Sequence, residues 1–314
     1  MRNSIRTVLF LACVSLSAQQ PDDLGARIRA SHLPEEQRNL LAASFSTKNY
    51  ARMEEILDRQ AGAAGASPVA AELHALAGNA AFLNGRMDRA ILAFRQADSQ
   101  VSLGESDRFM LAMALANLSD TKAAREQLTR LNNSHPDRPL YLYWLAKVDY
   151  FERLYMEAVE KLKRVVLLDP TSARAYDSLG LAYDMLGQSD EAREALLKAV
   201  DLNRKLPNPS AWPPHNLGYL LLRLRETKDA ENALRESLKY DPKFATAHYH
   251  LGRTLEAEDR DNEAIDEYRV AISLDPALIE PLYSLGLLYR RHNRLMEAEA
   301  AFAAYKKSKA AGEQ

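Results

Sequence analysis

The sequence predicts an all-α solenoid of stacked helical hairpins, and three observations carry that prediction. The first is a repeat. Residues 245–278 hold Leu251-Gly252, Leu255, Ala264, Tyr268, Ala271 and Asp275-Pro276; thirty-four places on, the same slots read Leu285-Gly286, Tyr289, Ala298, Phe302 and Tyr305, with Ala310 for the proline. Self-similarity at such a period marks a stacked array. The second is spacing: Leu251, Gly252 and Leu255 share one helical face, and Ala264, Tyr268 and Ala271 share another. The third is composition. A chain of 314 residues, 47% hydrophobic with 12 glycines and 13 prolines, has ample core material and few helix breakers.

Residue size explains the pattern. Gly252 and Ala264 are small because two helices cross closely there, and Leu251, Leu255 and Tyr268 fill the space beside the crossing. Pro276 lacks an amide hydrogen and disfavours helix at Asp275, which ends the second helix. A lone hairpin cannot bury its apolar face, so each unit depends on neighbours.

The register extends backwards. Its eighth place reads Gly78, Ala112, Ala146, Gly180, Gly218, Gly252 and Gly286. The twentieth is alanine throughout: Ala90, Ala124, Ala158, Ala192, Ala230, Ala264 and Ala298. The twenty-fourth is bulky: Phe94, Leu128, Leu162, Leu196, Leu234, Tyr268 and Phe302. Pro136, Pro170, Pro242 and Pro276 close four units. This pattern resembles the tetratricopeptide repeat, a helix-turn-helix unit with small residues at its eighth and twentieth places and proline at its thirty-second. The resemblance implies a right-handed superhelical solenoid.

In chain order, residues 1–18 read as a secretory signal peptide: Arg2 and Arg6, an apolar run from Thr7 to Leu16, then small Ser17 and Ala18 before polar Gln19. Cleavage is expected after Ala18, with Ser17 the alternative, and the chain is read as exported, periplasmic or secreted. The apolar run is too short for a membrane span, so none is expected in the mature chain. Cys13, the single cysteine, offers an alternative as a lipoprotein anchor. Residues 19–33 are expected to be a flexible linker, and 34–70 a degenerate terminal repeat ending in an alanine- and glycine-rich loop over Ala61 to Pro68. Four repeats over 71–206 and three over 211–312 flank a proline-rich insertion at 207–210. Around it, the run from Lys205 to Pro214 carries four prolines and reads as loop, either a tolerated insertion or a hinge or lip over the groove with Trp212 as an exposed anchor. Hairpin turns are expected at Asn84-Gly85, Ser119, Arg153, Gly187, Arg225, Asp259 and Asn293.

The resemblance also implies a concave face lined by first helices, with the second, fifth, ninth, twelfth and thirteenth places turned inward. Carried onto this chain, it nominates Phe109, Tyr143, Lys147, Tyr150, Trp212, His215, Tyr219, Arg223, Tyr249, Arg253, Tyr283 and Arg290 as a protein- or peptide-binding groove. Aromatic and arginine side chains supply much of the energy at interfaces, and such a groove suits an extended peptide with apolar and acidic residues. The carboxylate clamp of chaperone-binding relatives is not reproduced, because Phe109 and Met113 interrupt it and Tyr143 replaces the needed lysine.

Other chemistries find no support in the sequence. His248 and His250, two apart on a helix, point to different sides and cannot jointly ligate a metal. There is no nucleophile elbow, phosphate-cradling loop or zinc-type cysteine pair, so no enzyme, cofactor or metal is expected. A net charge of -2 makes no case for nucleic acid. The expected function is a non-enzymatic binding scaffold of the cell envelope. The alternatives are an envelope assembly factor for pili, secretion or outer-membrane biogenesis, and a self-associating structural oligomer whose groove is filled by another copy; a weak homodimer through the C-terminal hairpin is a separate expectation.

Overall fold

The structure, a computed structural model, describes residues 21–312. All regular structure among them is helical, and the chain divides into two compact units at Arg153–Leu154. The expected signal peptide and Cys13 lie outside the described residues.

Unit 1 holds α1 (Pro21–Ala30), α2 (Glu35–Ser46), α3 (Tyr50–Ala64), α4 (Pro68–Leu83), α5 (Met87–Gln100), α6 (Glu105–Asn117), α7 (Thr121–Ser134) and α8 (Pro139–Phe151). Unit 2 holds α9 (Tyr155–Leu168), α10 (Ala173–Met185), α11 (Ser189–Asn203), α12 (Trp212–Arg223), α13 (Thr227–Tyr240), α14 (Ala245–Ala257), α15 (Asp261–Leu274), α16 (Glu280–Arg291) and α17 (Leu295–Gly312). Within each unit every helix packs on the next, and first helices of successive hairpins also touch: α4 on α6, α10 on α12, α12 on α14.

The crossings are as tight as the eighth place requires. A β-carbon on Gly252 would stand 2.6 Å from the Tyr268 ring, one on Gly286 2.5 Å from the Phe302 ring, and one on Gly78 2.7 Å from the Phe94 ring. Leucine leaves no more room than a ring: a β-carbon on Gly180 would stand 2.5 Å from Leu196 and one on Gly218 2.7 Å from Leu234, while the hairpins of Leu128 and Leu162 carry Ala112 and Ala146 at the eighth place. Each hairpin turn contains one residue of positive φ, and the expected Gly85, Ser119, Arg153, Gly187, Arg225, Asp259 and Asn293 all adopt it. Lys48, at φ 55, does the same between α2 and α3 and had no sequence signal.

Three expectations are corrected. Residues 19–33 are not a flexible linker over their described part, because α1 buries Leu24 and Ile28, one turn apart, in a core with Leu41, Leu73 and Leu76. A ten-residue helix is marginal alone, and here packing on α2 and α4 sustains it. The loop over Ala61 to Pro68 shrinks to residues 65–67: the alanines extend α3 to Ala64, and Pro68 starts α4 under a cap in which Ser67 Oγ accepts from the Ala70 amide. The proline-rich loop ends earlier than expected. Pro213 and Pro214 occupy the first turn of α12, where a missing amide hydrogen costs nothing. The rest is pinned, with buried Asn203 donating to the Ser210 carbonyl and accepting from its amide, both at 2.8 Å, and Ser237 Oγ donating to the Ala211 carbonyl at 2.8 Å.

Candidate interaction surfaces

In unit 1 the first helices α6 and α8 bring aromatic residues together. Phe109 is half-buried, 5.7 Å from the Tyr141 ring and 6.5 Å from Trp144. Tyr143 is buried edge-on to Trp144, so it serves packing rather than presenting a surface. Lys147 holds its ammonium 5.7 Å from the Tyr150 ring and 5.5 Å from Phe151, a cation over two faces. Burial, with Glu105 accepting from its hydroxyl, pushes the Tyr141 phenol up to about 12.

The inward ninth place of α4 is already used. Asn79 Nδ2 donates to Asp107 Oδ1 at 2.7 Å, and Arg27 of α1 grips both oxygens of the same carboxylate at 2.8 Å. Asn79 and Asp107 are both buried. The N-terminal helix is thus tied across this part of the inner face by a two-pronged charged bond.

Unit 2 differs. Trp212 is 46% exposed, its ring 4.6 Å from Phe244, and Tyr283 is 46% exposed between Phe302 at 5.7 Å and Tyr305 at 5.4 Å. Arg253 and Arg290 reach solvent, Arg290 lying 5.9 Å from the Phe302 ring. Tyr249 is half-buried, 5.8 Å from the Tyr268 ring, and Tyr219 stacks on His250 at 4.6 Å. Arg223 lies 5.8 Å from Tyr219 and is committed to buried Asp184 at 2.5 and 2.7 Å.

His215, expected in the groove, is instead 5% exposed within a hydrogen-bonded chain. Asn216 Nδ2 donates to Asp177 Oδ1 at 2.9 Å, which turns Asn216 Oδ1 toward His215 Nδ1 at 3.1 Å. That oxygen accepts, so Nδ1 carries the proton and Nε2 must accept from His250 Nδ1, 3.0 Å away. The chain links α10, α12 and α14 and keeps both rings neutral. Burial lowers His215 to about 4 and holds His250 well below its ordinary value, with His215 adding to the second effect. The pairing was missed because its members stand thirty-five places apart; the register puts them at the fifth and sixth places of adjacent hairpins. His248 is separate, its Nδ1 2.6 Å from Glu267 and its Nε2 3.0 Å from the Pro242 carbonyl. Among the described residues, no three histidine, cysteine, aspartate or glutamate side chains are grouped to hold a metal ion, and no helix is long and apolar enough to cross a membrane.

Comparison with known proteins gives a consistent family. Tetratricopeptide repeat profiles match residues 51–103, 108–138, 173–206 and 215–279, more than half of the chain together. A BBSome complex member from Mus musculus, BBS4, is 27% identical over 149 residues, covering 47% of this chain and 28% of that protein. The chain spans less than half the length of further curated relatives at 22–25% identity. Among solved structures, a tetratricopeptide repeat protein from Parabacteroides merdae aligns with TM-score 0.65 at 15% identity, over 84% of this chain and 98% of that one. PilW, a type IV pilus biogenesis factor, aligns with TM-score 0.58 at 20% identity, over 63% of this chain and 90% of its own.

Proposed function

The chain belongs to the tetratricopeptide repeat family, and from that premise we propose that it is a scaffold that binds protein or extended peptide ligands on the inner face of unit 2, without catalytic chemistry of its own. The observation that carries this reading is the pair of half-exposed aromatic side chains, Trp212 and Tyr283, presented at inward places beside the solvent-reaching guanidinium groups of Arg253 and Arg290. Exposed aromatic and arginine side chains in one repeat series are the composition of binding anchors. A relative whose name makes it a member of a multi-protein complex supports the same reading. The test is capture from a native extract. The variant Trp212→Ala/Tyr283→Ala should lose partners that the unaltered chain retains, at unchanged helicity; an identical set of partners overturns the reading.

We further propose export to the cell envelope, on the basic, apolar and small-residue order of residues 1–18. In that setting the scaffold would serve assembly, a role the pilus factor with the same fold illustrates. Amino-terminal sequencing of the protein from its native cells should begin at Gln19; retention of Met1 would refute cleavage. A self-association reading draws on α17, where Leu295 is 55% and Met296 81% exposed. Sedimentation showing only monomer at high concentration would remove it.

A further inference from the structure

Unit 2 has a second concavity that does not belong to the inner face. A cavity of about 520 Å³ lies between α10 and α11, lined from α10 by Tyr176, Leu179 and Tyr183, at the fourth, seventh and eleventh places rather than the inward ones. From α11 come Leu197, Glu191 and Glu194, with Lys198 and Asp201 at the far end. The volume lies within the range of sites that enclose a small ligand or a few side chains.

The same crevice exists in unit 1, and the register allows place-by-place comparison. There it holds about 270 Å³, and His74, Ala77 and Ala81 stand where unit 2 has Tyr176, Leu179 and Tyr183. Arg89 and Leu92 stand where unit 2 has Glu191 and Glu194. The acids of the first crevice are answered internally: Asp58 by Arg89, and Glu54 by Arg86 at 3.3 Å and by Asn84 at 2.8 Å. The second crevice reverses the charge at the nineteenth place and is not answered. Among the described residues Glu191 and Glu194 enter no ion pair, and Asp201 shares Arg204 with Glu236. With Asp201 held by Arg204, Lys198 is the one cation of the lining beside the unpaired Glu191 and Glu194.

We propose that the crevice between α10 and α11 is a binding site for an arginine- or lysine-bearing segment of a partner protein. Leu179 and Leu197 receive the apolar stem of the incoming side chain, Tyr176 and Tyr183 offer ring faces to its cationic head, and Glu191 and Glu194 supply the opposite charge. Charge complementarity selects this occupant. An acidic segment would meet a surplus of carboxylates, and a purely apolar one would desolvate them without compensation.

The probe is a capped hexapeptide alternating leucine with arginine, titrated calorimetrically into the full chain; the control has glutamate in place of arginine. The arginine peptide should bind, more weakly as salt rises, while the glutamate peptide should not. Glu191→Gln/Glu194→Gln should weaken binding about tenfold, and Tyr183→Leu, which keeps bulk but removes the ring, by a smaller factor. The inner-face variant Trp212→Ala/Tyr283→Ala should bind the peptide as the unaltered chain does. Absence of binding at millimolar peptide, equal binding of the glutamate peptide, or unchanged affinity in the Glu191→Gln/Glu194→Gln variant overturns the proposal. Loss confined to the Trp212→Ala/Tyr283→Ala variant also overturns it, while leaving the inner-face reading intact.

Discussion

The inner faces of the two units are built by the same repeat rule and used differently. In unit 1 the chain consumes its own inward surface: Arg27 brings α1 against Asp107 and Asn79, and Leu24 and Ile28 seal the contact. In unit 2 a buried aspartate is also answered by an arginine, Asp184 by Arg223, yet Trp212 and Tyr283 remain half-exposed nearby in the series. The small-residue crossings fix how hairpins stack and leave the inward places free. Whether those places become core or exposed surface depends on what lies against them.

The severest way to break this contrast is Ile28→Asp. A carboxylate at a fully buried position should cost about 4 kcal/mol, detach α1 and open the inner face of unit 1. Hydrogen exchange should show the loss in unit 1 while protection in unit 2 is kept.

Acidification acts on the other unit. His215 in the folded chain titrates near 4, below its ordinary 6.5, so the unfolded chain takes up the proton first. The stability tied to the neutral ring is present above about 6.5 and is lost as pH falls toward 4, up to about 3 kcal/mol, with His250 shifted in the same sense. Urea midpoints of unit 2 should fall across that window, and His215→Phe should flatten the fall relative to the unaltered chain.

Arg27→Ala tests the tether more gently. It leaves buried Asp107 with only the Asn79 amide from this network, at a cost of about 2 kcal/mol that should appear as faster exchange in α1. The matching change in unit 2, Arg223→Ala, should cost about 1 kcal/mol, because this arginine is 45% exposed and solvent screens the pair. Equal losses from the two arginine variants would mean that the tether and the open-face pair are energetically alike, and would erase the distinction.

What was legible in the sequence was the part governed by local size and backbone freedom. Crossing residues must be small and turn residues must tolerate positive φ, so Gly252, Ala264, Gly187 and Asn293 announced themselves, and the register carried Ser119, Arg153 and Arg225 with them. The helix at Pro21–Ala30 was not legible: ten residues with two well-buried apolar anchors carry too little periodicity, and its stability comes from α2 and α4. The groove was legible only as a set of places. Sequence could nominate Tyr143 and Trp212 alike, but burial separates them, because exposure depends on neighbours across hairpins. The Asp177–Asn216–His215–His250 chain failed for the same reason, since its partners come from three repeats.

The match between the eighth and twenty-fourth places at the crossings also bears on inheritance. Phe94, Tyr268 and Phe302 each fit only a partner helix with no side chain at the contact. A recombination joint inside a hairpin, setting the helix of Ala112 against that of Phe94, would bring a methyl into a ring. A joint between hairpins keeps each matched pair together. Lineages that shorten, lengthen or shuffle this array should therefore exchange whole hairpins, with their boundaries in the inter-repeat loops.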